Sequence, residues 1–193
     1  MTNHKKPQCG EYGFIKYRKK RQLLLTLLML ALVLGIFFGG ILALGTKNSI
    51  LSVMAVLTAL PMAKFAVSYL ILIKRHSLNE DANQQITAAL HGARCLKEIL
   101  LSSSEKLMQA DAVLVYNKKV YIYVEENKKE QNLVRDYVIS IVKKVYHTEQ
   151  CRLYTSLSSF VSAAKQATGE ERDESQKKKD EAAYKELLLY CVS

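Results

Sequence analysis

Two apolar runs, Leu23–Leu44 and Ile50–Ile73, constrain this chain more than anything else in it. The first has 22 residues and no charged side chain. The second has 24, with Lys64 its single charge and Pro61 its single proline. A hydrocarbon core of about 30 Å takes roughly 20 helical residues to cross. A segment in lipid must also satisfy its own backbone, as a helix does. Neither run alternates like a barrel strand, so the sequence predicts an α-helical transmembrane hairpin of two spans, turned at Thr46-Lys47-Asn48-Ser49. A cleaved signal peptide is the rival for the first run, with Ala43 and Gly45 at the cleavage positions. Its apolar stretch, however, exceeds a signal core of about 7–15 residues.

Charge orients the hairpin. Lys5, Lys6, Lys16, Arg18, Lys19, Lys20 and Arg21 precede the first span, and Lys74 and Arg75 follow the second, whereas the turn holds only Lys47. The positive-inside rule places both termini in the cytoplasm of a plasma-membrane or inner-membrane protein, with anionic headgroups as the partners of the basic flanks. Small residues recur every fourth position at Ala31, Gly35, Gly39 and Ala43, and again at Ala55, Ala59 and Ala63. Folding the chain at Lys47 sets these stripes at matching depth, which predicts close helix–helix packing. Lys64 is a charge within the second span. It is read either as a snorkelling side chain or as a functional group of an oligomeric bundle.

The remaining chain is charge-neutral. Residues 77–193 carry seventeen Lys or Arg and seventeen Asp or Glu, so the formal net charge of +10 sits in the tail and hairpin. A nucleic-acid binder is expected to carry a basic face on its domain, and none is apparent here. The four cysteines, Cys9, Cys95, Cys151 and Cys191, are scattered, with no spacing that suggests a metal site. They are expected to be free thiols, and no cofactor or metal is expected.

Four regions follow from these patterns. Residues 1–21 are expected to form a basic, disordered tail, and 22–76 the hairpin. Residues 77–169 are expected to form a cytoplasmic α/β domain, and 170–193 a charged linker with a final helix near Glu181–Cys191. Ser77-Leu78-Asn79-Glu80 fits a capping box, which predicts an amphipathic helix continuing to about Ser102. Ala112–Tyr116 and Val120–Val124 read as a β-hairpin joined by Asn117-Lys118-Lys119. A helix from about Asn127 to Tyr146, a strand Cys151–Thr155 and a helix ending before Gly169 complete the order α-β-β-α-β-α-α around a three-stranded mixed sheet. Tyr121 and Tyr123 share one face of the hairpin, which is either covered by a helix or offered to a partner.

One catalytic pattern stands out. Asp111 opens the first hairpin strand, and Glu126-Asn127-Lys128 follows the second. An acid on one strand and acid-x-lysine on its neighbour resemble the PD-(D/E)xK nuclease core. That resemblance implies carboxylates holding Mg²⁺ and a lysine stabilising charge at the phosphate. Ala110 stands where the motif carries proline, and the predicted helix leaves no place upstream for the first core strand of that fold. The expected role is therefore a non-catalytic anchoring, scaffolding or sensing module acting through a protein partner or a homo-oligomer. A membrane-anchored nuclease and a transport or channel accessory subunit using Lys64 are the alternatives.

Overall fold

The computed structural model describes residues 6–44, 50–102, 107–125, 128–146 and 150–192. It divides into two compact units, one of residues 15–76 and one of residues 1–14 with 77–193.

The first unit is the apolar pair. Helix α1 (Phe14–Leu44) begins within the segment expected to be a disordered tail, and α2 spans Ile50–Ile73. Both are long and apolar enough to cross a membrane. They are not core helices of a globular unit, because Leu24, Leu28, Phe38, Val56, Leu60 and Leu70 all face outward. The two antiparallel helices meet at their basic ends. The Lys19 ammonium donates to the carbonyl of Ile73 at 3.2 Å and also to that of Arg75. These carbonyls lie at the α2 C-terminus, where backbone acceptors lack helical donors and a cation is favoured. A Cβ added at Gly35 or Gly39 would meet nothing within 4 Å. Ala31 and Ala63 are exposed and Ala59 is half-buried, while the side chains of Ala43 and Ala55 lie outside the described residues. Lys64 is exposed; Ser68 donates to its backbone carbonyl at 2.9 Å, so that hydroxyl serves the helix and not the ammonium.

The second unit is a three-layer α/β domain. Its elements are α3 (Glu80–Ala89), β1 (Leu96–Ser102), β2 (Leu107–Tyr116), β3 (Lys119–Tyr123), α4 (Lys128–Tyr146), β4 (Cys151–Tyr154), α5 (Leu157–Thr168) and α6 (Glu174–Leu189). The sheet order is β1-β2-β3-β4, antiparallel except for the β3–β4 pair, which α4 crosses over to make parallel. Four strands replace the expected three, because the helix expected to reach Ser102 stops at Ala89. His91 and Gly92 take left-handed backbone angles (φ 42° and 84°) that end it. The following Ile99-Leu100-Leu101 is buried on both sides, which suits a strand between two helical layers better than one helix face. The cap differs as well. Asn79 is the N-cap, and the Ser77 hydroxyl turns to Glu98.

Each sheet face has its own core. Val113, Val115, Val120, Ile122 and Val124 pack beneath Val134, Val138 and Ile141 of α4 and Tyr184 and Leu187 of α6. Ala112, Leu114, Tyr121 and Tyr123 pack beneath Ile86 of α3 and Phe160 and Ala164 of α5. The two tyrosines expected as a possible partner surface are thus covered, at 5% and 4% exposure. Burying them under Phe160 and its neighbours removes a large aromatic area from water. Helix α6 begins inside the charge run and closes one end of the sheet through Asp180. That buried carboxylate accepts from Arg172 at 3.1 Å, from the Asn117 amide at 3.4 Å and from the Tyr146 hydroxyl.

Both chain ends return to β1. Gly10 pairs with Lys97 and Cys191 with Leu101, and a disulfide joins Cys9 to Cys191. The expectation of four free thiols is corrected accordingly; Cys95 and Cys151 are free. Gly10 is required where it stands. Its φ is +89°, and a Cβ there would come within 2.9 Å of Leu96.

Candidate functional site

The site builds from an irregularity shared by β1 and β2. Along β1, Leu96 faces the α4/α6 core, and so do Ile99 and Leu101; along β2, Met108 and Ala110 do so, and then Val113 and Val115. An alternating strand cannot place residues three apart on one face, so both strands slip phase here. The paired positions on either side are Lys97 with Ala112 and Ile99 with Ala110. Between them fall Glu98, at φ 51°, and Asp111. Both carboxylates are fully buried, and buried charge requires donors.

The donors differ between the two acids. Glu98 accepts from the Ser77 hydroxyl at 2.6 Å and the Leu78 amide at 3.1 Å. It thereby fixes the entry into α3. Asp111 accepts from the Gln109 side-chain amide at 2.6 Å and from the backbone amide of Glu125 at 2.7 Å. The second bond reaches across to the end of β3 and brings an exposed acid, Glu125, beside a buried one. Tyr123 lies next to both. Its phenol is pushed up to about 12, first by burial and then by the negative charges of Glu125 and Asp111.

The sequence-based set is therefore only partly assembled. Asp111 stands on β2 as expected, inside the strand and not at its opening. Glu126 lies outside the described residues, and Lys128 is the first residue of α4 with its side chain outside them. Glu125, Glu98 and Gln109 were not singled out from the sequence. For Glu125 the signal was present, since any acid just past β3 on the Asp111 side qualifies. For Glu98 nothing local distinguishes a buried strand acid from a solvated helix acid.

In donor chemistry the Asp111–Glu125 junction fits a hard divalent cation. Mg²⁺ takes oxygen ligands, commonly one or two carboxylates completed by water and substrate phosphate. An ionised carboxylate also has about four acceptor sites. Among the described residues no group of three or more Asp, Glu, His or Cys comes together.

No protein family, no curated protein and no solved structure matches the chain.

Proposed function

We propose that this chain is a membrane-anchored, divalent-metal-dependent phosphodiesterase of the PD-(D/E)xK type, acting on nucleic acid at the cytoplasmic face. One observation carries the reading: β1 stands where the first core strand of that fold is expected, and the β2 acid Asp111 accepts from the backbone amide of Glu125, two residues past β3. When bound, a Mg²⁺ ion would supply Lewis-acid stabilisation of the developing phosphate charge. Asp111 and Glu125 would hold it, and counted from Glu125 the motif's lysine position is occupied by Asn127. Gln109 holds the Asp111 carboxylate in place at 2.6 Å, and Tyr123, kept protonated by its surroundings, walls the site without adding charge. The anchor is the α1/α2 pair. The bond from Lys19 to the α2 C-terminus gathers Lys16–Arg21 and Lys74–Arg75 at one end, as anionic headgroups require.

A second reading keeps the anchor and drops the chemistry. It is favoured by the complete burial of Asp111 and by the charge neutrality of residues 77–193, which suit a scaffold acting through protein contacts. One experiment separates the two. The full chain in detergent, with Mg²⁺ or Mn²⁺ and labelled single- and double-stranded DNA and RNA, is expected to cleave. Chelation should abolish cleavage, and Glu125→Ala or Asp111→Asn should each lower it by a factor of about 100 or more. Glu126→Ala tests the acid suggested by the sequence motif. Absence of metal-dependent cleavage by the wild type ends the enzymatic reading and leaves the scaffold.

A further inference from the structure

Among the described residues the outer edge of β1 has no neighbouring strand, yet its two ends are covered. The Lys97 amide donates to the Gly10 carbonyl at 2.9 Å, and at the other end the Val192 amide donates to Leu100 at 2.9 Å and the Ser102 amide to Tyr190 at 3.4 Å. Both covers are short segments close to the chain termini, and neither is a strand in its own right. What joins them is the Cys9–Cys191 bond, across 182 residues of sequence. Both half-cystines are half-buried at the margin of the α4/α6 core. Cys95 and Cys151 are free, so the one bridge joins the two segments that guard the edge.

We propose that Cys9–Cys191 is a reversible redox clasp that decides whether the β1 edge is closed. In the oxidised form the two tails are one linked cover. A reductant of the glutathione or dithiol class opens it. Its thiolate attacks one sulfur, the S–S bond breaks, and the departing sulfur takes a proton. A second reductant thiol then resolves the mixed disulfide, so that two reductant thiols become one disulfide and Cys9 and Cys191 become thiols. Once the link is cut, residues 190–192 lose their tie to the N-terminal segment and keep the backbone bonds to β1 together with the contacts of Tyr190, whose ring meets Tyr137 edge-on and whose hydroxyl accepts from Lys144. This inference does not depend on the site at Asp111.

The test uses the full chain in nanodiscs. After equilibration with oxidised glutathione, non-reducing peptide mapping is expected to find Cys9 linked to Cys191. Reduced glutathione should release the link without denaturant. On release, deuterium uptake in peptides covering 96–102 and 188–192 should quicken by about tenfold or more, while the β2–β3 hairpin keeps its protection. Cys191→Ser should show the faster uptake in both buffers. If that variant does not fold, the two wild-type arms decide alone. Absence of the linked peptide, a link that resists reduced glutathione in the folded protein, or a release that leaves 96–102 unchanged would each overturn the clasp.

Discussion

At the scale of single residues, the α/β unit stores several acids in their protonated form. The Cys95 thiol is pushed up to about 12, chiefly by burial, against an ordinary value of 9. Burial raises Cys151 to about 11, and Tyr123 reaches about 12. The unfolded chain gives up these protons near the ordinary values, while the folded chain keeps them until higher pH. Above about pH 9 the unfolded state therefore binds fewer protons than the folded one, and stability falls with rising pH until the folded values are reached. The contribution is complete below the ordinary thiol value and is lost between about pH 9 and 12. The urea midpoint of the full chain, followed by circular dichroism, should accordingly be lower at pH 10.5 than at pH 8. An unchanged or higher midpoint would contradict the burial of these groups. The same reasoning marks Cys95 and Cys151 as poor nucleophiles, which leaves Cys9 and Cys191 as the thiol pair with redox chemistry.

At the scale of elements, the β2–β3 hairpin is the most self-specified piece. Its two-residue turn places Asn117 at φ 50° and Lys118 at φ 65°, the arrangement whose twist matches a hairpin. Asparagine tolerates that region; lysine does so at a cost of about 1 kcal/mol relative to glycine. Lys118→Gly should therefore raise stability by about 0.5–1 kcal/mol, read as a higher denaturation midpoint, and a fall would show that the lysine makes an offsetting contact. This hairpin was legible in the sequence because alternation and turn residues agree over one short stretch. So were α4, β4 and α5, where the period is unambiguous. Strand β1 was not legible: Leu96 and Leu100 satisfy a helical stripe as well as a strand. What decides between them is the left-handed pair His91–Gly92 and a sheet assembled from residues farther along the chain. The candidate site shared that fate. Asp111 was visible, but its meeting with Glu125 depends on the β2–β3 register, and the burial of Glu98 depends on a strand that the sequence concealed. The disulfide was invisible for the same reason, since its cysteines are brought together only by the two ends of β1.

At the scale of the whole molecule, the nuclease and the redox clasp both require the α/β unit to lie on the cytoplasmic side of a membrane. Nucleic acid and a glutathione-class reductant are both cytoplasmic, and the basic residues gathered by Lys19 argue for that side. Native Cys151 is a weak reporter of topology, being half-buried with its thiol raised to about 11. Ser175, exposed in the first turn of α6, is a better position, and Lys47 lies between the two apolar runs in the sequence. In intact cells, Ser175→Cys should resist a membrane-impermeant maleimide and react after lysis, whereas Lys47→Cys should react in both conditions. The comparison reads the difference between the two positions, so native cysteines common to both variants cancel. Labelling of Ser175→Cys in intact cells would place the α/β unit outside. The Cys9–Cys191 bond would then be a permanent staple in an oxidising compartment, since structural disulfides persist there without a reductant to open them. A nucleic-acid substrate would also have to come from outside the cell, and the scaffold reading would gain accordingly.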